Sequence, residues 1–256
     1  MAQDMPGHQR SFQQLNLCQW VNTKKVWVSK DAWDACATDH LDLGFFEGKD
    51  VYIGCDLSTR NDLTALSLVH VDENEEAWIL PFAYCPEEGV RRRSRIDRVD
   101  YDAWAQQGFL TATPGNAVDY DYIAQQIREI AKIANVKGVG YDPWNATQFA
   151  LGLQAEGSPM VEVRQGYRTM SEPCKALEAL ILGKRLHHPA HPVLDWCIGN
   201  TIVDTDPAGN IKPSKASSTE RIDCVAALVT ALALQVNNAD AGTGVSMYES
   251  QGIECV

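Results

Sequence analysis

The chain has 256 residues, enough for one large domain or for one domain with an added segment. With 45% hydrophobic and 22% charged residues it has the composition of a globular protein, and no apolar run reaches the roughly 18 residues that span a bilayer. A formal net charge of −12 excludes a protein that coats nucleic acid by bulk electrostatics, but not an enzyme that grips it through one local basic patch. The same acidity suits a site whose carboxylates are neutralised by bound cations.

The N-terminus, MAQDMPGHQRSFQQLN, is polar and lacks the apolar stretch of a signal peptide, so a cytosolic protein with no membrane association is expected. Eight cysteines are scattered without a CxxC pair, which argues against structural zinc and for reduced, partly buried thiols. Residues 1–48 read as an arm or linker. It has a strand-like KVWVS run, a short helix near Asp31 to Ala37, and Trp20, Trp27 and Trp33 to anchor it.

A main domain is expected over residues 49–238. VYIGCD, LTALSLVHV and AWILPFAYC read as three strands joined by tight links, an antiparallel meander. The charged stretch PEEGVRRRSRIDRVDYDAWAQQG has helical spacing, and DYDYIAQQIREIAKIAN places Ile123, Ile127, Ile130 and Ile133 on one apolar helix face. VKGVGYD then reads as a buried strand, PWNATQFALGLQAEG as a helix with Pro143 in its first turn, and PMVEVRQ as the fifth strand. SEPCKALEALILGKR is a helix capped by Ser171, HPVLDWCIGNT begins another, DTDPAGNIKPS is a hairpin, and TERIDCVAALVTALALQV is the last helix with Thr219 as cap. Residues 239–256 form a tail expected to be mobile. The resulting class is α/β: a mixed five-stranded sheet with helices on both faces, in the ribonuclease H-like order.

Asp56 ends the first strand and Asp142 the fourth, while Asp223 opens the last helix. Ligands of open α/β sheets collect beyond the carboxyl ends of the strands, so these acids meet at one edge if the two strands are neighbours. Two hard cations about 3.5–4 Å apart would activate water and stabilise the leaving oxygen of a phosphodiester, and short carboxylates suit their ligation. Taken singly, a strand-end aspartate also caps turns, and Asp223 also stabilises its own helix through the macrodipole. Asp62 is a possible fourth ligand or a turn residue. Arg91, Arg95 and Arg98 share a face if their stretch is one helix, giving either a phosphate-binding patch or a solvated face paired with Glu87, Glu88 and Asp97. Gln165 to Arg168 either contact DNA or brace a loop. His187, His188 and His191 read as turn and surface histidines rather than a metal site, and Trp144 is expected to pack beneath the acids rather than to stack on a base.

The ordered segments LNLCQWV, GCDLSTRNDLTAL, YDAWAQQGFLTATPGNAVDYDYI, VGYDPWNATQFA, RQGYRTMSEPCKALEALILGKRLHHPAHPVLDWCIGN and KPSKASSTERIDCVAALVTAL resemble the nuclease domain of the large terminase subunit of tailed bacteriophages. The resemblance implies a two-metal endonuclease that cuts concatemeric viral double-stranded DNA during packaging, using two Mg²⁺ or Mn²⁺ ions. It matches Asp56, Asp142 and Asp223 to the metal-binding acids, Asp62 to an accessory acid, Lys215 to a lysine near the DNA or active site, and Asn200 to a recurrent polar position. Implied partners are the terminase small subunit, an ATPase motor and a portal protein, in the cytoplasm of the infected bacterial host. No GxxxxGK[ST] motif occurs in the chain, so no ATP hydrolysis is expected from it, as for an excised domain or a split gene product. A non-catalytic docking or regulatory module, or another ribonuclease H-like nuclease such as a resolvase, are the competing readings.

Overall fold

The computed structural model describes residues 26–58, 63–144, 146–218 and 220–242. Asp62, Trp20 and the proposed cap Thr219 lie outside the described residues. The five expected strands are β1 (Asp50–Asp56), β2 (Thr64–Val71), β3 (Ala77–Pro86), β5 (Asn135–Tyr141) and β6 (Met160–Glu162). They lie in the order β3-β2-β1-β5-β6. Two short strands, β4 (Thr111–Thr113) and β7 (Leu186–His187), pair parallel with β3 and widen the sheet to seven strands. β1, β2 and β3 form the antiparallel meander, and β5 and β6 continue parallel to β1.

Alternation along β1 divides the molecule. Val51, Ile53 and Cys55 point into a core with Leu66, Leu68 and the buried isoleucines Ile123, Ile127 and Ile130 of α4 (Tyr120–Ile133). Asp119 caps that helix, its carboxylate accepting from the Asp121 amide at 2.9 Å. The opposite face carries α6 (Tyr167–Leu182) and α8 (Asp223–Gly242), whose Cys174, Leu177, Val225 and Leu228 share a core with Ala65 and Val69 of β2. Gly54 faces α8: a β-carbon there would stand 2.0 Å from the Ala227 carbonyl oxygen and 2.5 Å from the Ala231 amide nitrogen. The helix therefore lies with its backbone almost against the strand.

Several local expectations are corrected. The arginine-rich stretch is two helices, α2 (Glu87–Asp97) and α3 (Tyr101–Gln106), because Arg98 adopts a left-handed conformation (φ 55°) and Asp100 caps the second. α5 (Thr147–Ala155) starts after Pro143, and α6 starts at Tyr167, so Ser171 is inside it and its hydroxyl accepts from the Ile211 amide. KVWVS forms no strand among the described residues; Trp27 and Trp33, flanking α1 (Lys30–Asp34) or inside it, are buried and bond to Glu178 and Asp195. α8 continues to Gly242, beyond Val236 where the expected last helix ends.

The three histidines do not converge. His187 pairs with Glu76 and stacks on Trp78, while His188 stacks on Trp33. His188 and His191 are buried, not surface residues as expected. His191 caps α7 (Pro192–Asn200), its ring Nδ1 accepting from the Leu194 amide at 3.4 Å. Burial lowers its pKa from 6.5 to about 4. With the folded value depressed, the unfolded chain binds the extra proton, so this stabilisation is complete above pH 6.5 and is lost as pH falls through about 4. The loss should approach about 3 kcal/mol. Urea unfolding at pH 7 and pH 4 should show that part of the acid sensitivity absent in His191→Asn, which keeps a capping side chain. Equal acid sensitivity in both proteins would contradict it.

Candidate functional site at the carboxyl edge of the sheet

β1 and β5 are parallel neighbours with Cys55 opposite Tyr141, so the next residues, Asp56 and Asp142, leave the sheet at the same edge. Close docking of α8 along β1 brings its first residue, Asp223, to the end of the same strand. Asp56 and Asp223 are each only 5% exposed. The ammonium of Lys215 donates to Asp56 Oδ2 at 2.6 Å and to Asp223 Oδ1 at 3.1 Å. Asp142 is held from outside this pair: its Oδ1 accepts from the Trp144 amide at 2.9 Å and its Oδ2 from the Gln165 amide at 3.4 Å. The Gln165 side-chain amide donates in turn to Asp56 Oδ1 at 3.4 Å. Gln165 thus links Asp142 to Asp56.

The electrostatics are those of charge gathered faster than it is compensated. Burial pushes the Asp223 carboxyl up to about 7, the Lys215 charge opposing this and the Asp56 charge adding to it. For Lys215, burial favours the neutral amine, but the two carboxylates and their hydrogen bonds outweigh it and hold its pKa above the usual lysine value. Asp223 Oδ2 is buried and has no hydrogen-bond partner. A buried carboxylate oxygen left unsatisfied costs free energy, and a cation is the partner such an oxygen lacks.

Asp56, Asp142 and Asp223 offer only oxygen donors, which fits a hard divalent cation such as Mg²⁺ or Mn²⁺. Yet among the described residues no group of three or more acidic, histidine or cysteine side chains is placed to hold a metal ion. The arrangement is a facing pair bridged by Lys215, with Asp142 tethered at its side through Gln165.

The basic residues are distributed differently from expectation. Arg91 and Arg95 are exposed on α2, but Arg98 lies beyond the helix end in its left-handed turn, so the three do not make one helical face. Arg93 turns inward instead, 3.9 Å from Asp97, and Asp97 also accepts from the Tyr101 hydroxyl at 2.7 Å and lies 4.0 Å from Arg221. Arg168 is exposed in the first turn of α6. Asn200 ends α7 with a buried amide nitrogen that has no hydrogen-bond partner. Trp144 does not pack beneath the acids. Its side chain is 80% exposed.

The glycines that admit α8 are functional residues not singled out from the sequence. Gly54, Gly138 and Gly140 present their missing side chains to Ala227, Leu234 and Thr230 of that helix. Their signal was available: glycines at alternate positions in otherwise apolar strands mark a close approach of another element. The buried cysteines carry no disulfide; Cys36, Cys55, Cys85, Cys174, Cys197 and Cys224 are free thiols.

Among the described residues, no helix is long and apolar enough to cross a membrane. The family model described as terminase large subunit, endonuclease domain, matches residues 3–238. The terminase large subunit of Enterobacteria phage HK97 is 36% identical over 227 residues, 88% of this chain and 44% of that protein. Protein YmfN of Escherichia coli K12 is 29% identical over 252 residues, 94% of this chain and 55% of its own length. The chain therefore spans about half the length of these relatives. The crystal structure of the HK97 large terminase superposes with a TM-score of 0.76 at 34% identity, covering 90% of this chain and 48% of that one. The fold is accordingly ribonuclease H-like, and the chain belongs to the family of terminase large subunit endonuclease domains.

Proposed function

We propose that the chain is a metal-dependent endodeoxyribonuclease that cuts double-stranded viral DNA concatemers during genome packaging. One observation carries the reading beyond family membership: two nearly buried carboxylates, Asp56 and Asp223, face one another at the sheet edge where Asp142 also emerges, and one of their oxygens lacks any partner. Asp56, Asp142 and Asp223 would hold the cations, with Asp62 as a candidate fourth ligand. When bound, two Mg²⁺ or Mn²⁺ ions supply an activated water and a stabilised leaving oxygen.

The chain's own contribution is placement. α8, held against β1 at Gly54, fixes Asp223 relative to Asp56, and Gln165 fixes Asp142 relative to both. Lys215, Arg168 and, earlier in the chain, Arg91, Arg95 and Arg98 are the cationic side chains offered to DNA phosphates. Residues 1–48 serve as the connecting arm, 49–238 as the nuclease unit and 239–256 as a tail. The terminase small subunit, an ATPase motor and a portal protein are the partners this role requires, in the cytoplasm of the infected host.

The test is cleavage of supercoiled plasmid by the purified chain. Nicking and linearisation are expected with Mn²⁺ or Mg²⁺, with little sequence preference, and none with chelator. Intact plasmid under all metal conditions would favour the docking-module reading, and a strong preference for branched DNA would favour a resolvase.

A further inference from the structure

Lys215 is the only cation hydrogen-bonded to the carboxylates of the site among the described residues, and its position is unusual for a residue whose task is to hold DNA. Its ammonium spends its hydrogen bonds inward, on Asp56 Oδ2 and Asp223 Oδ1, at 2.6 and 3.1 Å. Both carboxylate side chains are under one-tenth exposed, whereas the Lys215 side chain is 52% exposed, so the lysine reaches them from the solvent side. Its backbone is anchored. The hairpin of β8 (Val203–Thr205) and β9 (Ile211–Pro213) leads directly into a turn where the Ser214 amide bonds the Ile202 carbonyl and the Ser218 hydroxyl accepts from the Ile202 amide. Ser217 adds a bond to Asp204 at 2.8 Å. A fixed backbone with a half-exposed, rotatable stem describes a side chain able to change partners without unfolding anything.

We infer that Lys215 is a resident counter-ion of the acid pair, and that a divalent cation binding there displaces its ammonium outward, to where a DNA phosphate would lie. This rests on reading the acids as metal ligands. The physical ground is competition. A divalent cation ligated by Asp56 and Asp223 needs the same oxygen lone pairs that the ammonium uses, and two positive centres cannot share them at hydrogen-bonding distance. With the lysine inside, the facing acids keep one net negative charge. With a divalent ion inside, they are neutralised, and the lysine loses its reason to stay. Metal occupancy is thereby coupled to the supply of a free cation at the DNA-facing rim, and the metal-free protein keeps its acids together without a metal.

Two measurements on the whole chain test this. Acetylation of lysines by an N-hydroxysuccinimide ester, followed by peptide mass spectrometry, should show Lys215 modified several-fold faster in Mn²⁺ than in chelator, with a midpoint that follows the calorimetric Mn²⁺ titration. In calorimetry, Lys215→Met should bind Mn²⁺ about tenfold more tightly than wild type while binding a DNA duplex more weakly. Mn²⁺ binding that leaves the Lys215 labelling rate unchanged or slower would overturn the inference and leave the nuclease reading standing. Equal or weaker Mn²⁺ affinity in a folded Lys215→Met would overturn it as well. No Mn²⁺ binding to wild type at all would remove both.

Discussion

Asp223→Asn should abolish metal-dependent cleavage without lowering the thermal unfolding midpoint, and should raise it if it changes it at all. The two effects have one cause. Asp223 is 5% exposed, and only one of its carboxylate oxygens has a partner, the Lys215 ammonium. Asparagine keeps an acceptor for that ammonium and replaces the unpartnered oxygen with an uncharged amide group. A buried, unsatisfied polar atom costs about 1–3 kcal/mol when neutral and more when charged, so exchanging the charged oxygen for a neutral amide relieves the fold. Activity moves the other way, because a neutral amide is a poor ligand for a hard cation. Loss of a group that merely orients a metal ligand costs about 10–100-fold, and loss of the ligand itself should cost at least about 100-fold.

Asp56→Asn provides the contrast. Asp56 is satisfied on both oxygens, by Lys215 and by Gln165, so its neutralisation weakens the shorter of the two lysine ion pairs and relieves no unpartnered oxygen. That variant should lose activity to the same extent and lose stability by about 1 kcal/mol, the discount reflecting the half-exposed lysine. Differential scanning calorimetry beside plasmid nicking decides it. A fall in stability for Asp223→Asn comparable to that of Asp56→Asn would mean that the Asp223 charge supports the fold.

The difference between these two aspartates was not legible in the sequence, where both read as acids at the ends of elements. What the sequence shows well is what period and strand order control. The five strands and the apolar face of α4 follow from alternation and from the spacing of Ile123, Ile127 and Ile130, and the parallel pairing of β1 with β5 brings Asp56 and Asp142 to one edge. Boundaries were less legible where a tertiary partner overrides local preference. Ser171 has the character of a cap but, from inside α6, its hydroxyl accepts from the Ile211 amide of β9, and Pro173 is carried in that same helix. Arg98 breaks the basic stretch through one backbone torsion, which no charge pattern reveals. Trp144 directly follows Asp142 and so is expected to pack beneath the acids; its exposure follows from the turn beyond Asp142 that carries it away from the sheet. Lys215 is the clearest case: eight residues before Asp223 in sequence, it meets Asp56 only because α8 folds back along β1.

That folding back depends on a residue with no side chain at all. Gly54→Ala should be the most destabilising single-methyl change in the described core, at about 3 kcal/mol or more, and should weaken Mn²⁺ binding although no ligand is altered. The new β-carbon would sit 2.0 Å from the Ala227 carbonyl oxygen and 2.5 Å from the Ala231 amide nitrogen. Both are helix backbone, so no rotamer change relieves the overlap and α8 itself must move off β1. Overpacking a core usually costs about 1–3 kcal/mol, and a rigid obstacle places this case at the upper end or beyond it. Asp56 is two residues along the same face of the strand and Asp223 starts the displaced helix, so the shift opens the acid pair directly. Gly140→Ala meets a softer neighbour, the Thr230 methyl at 2.9 Å, and should cost less. Gly152→Ala, within α5 with nothing in reach of the added carbon, should gain about 0.5–1 kcal/mol from helix propensity alone. Urea unfolding of the three variants, with calorimetric Mn²⁺ titration of each, separates the explanations. A Gly54→Ala protein as stable as Gly140→Ala would show that α8 can leave β1 cheaply, and the placement of Asp223 would then need another anchor.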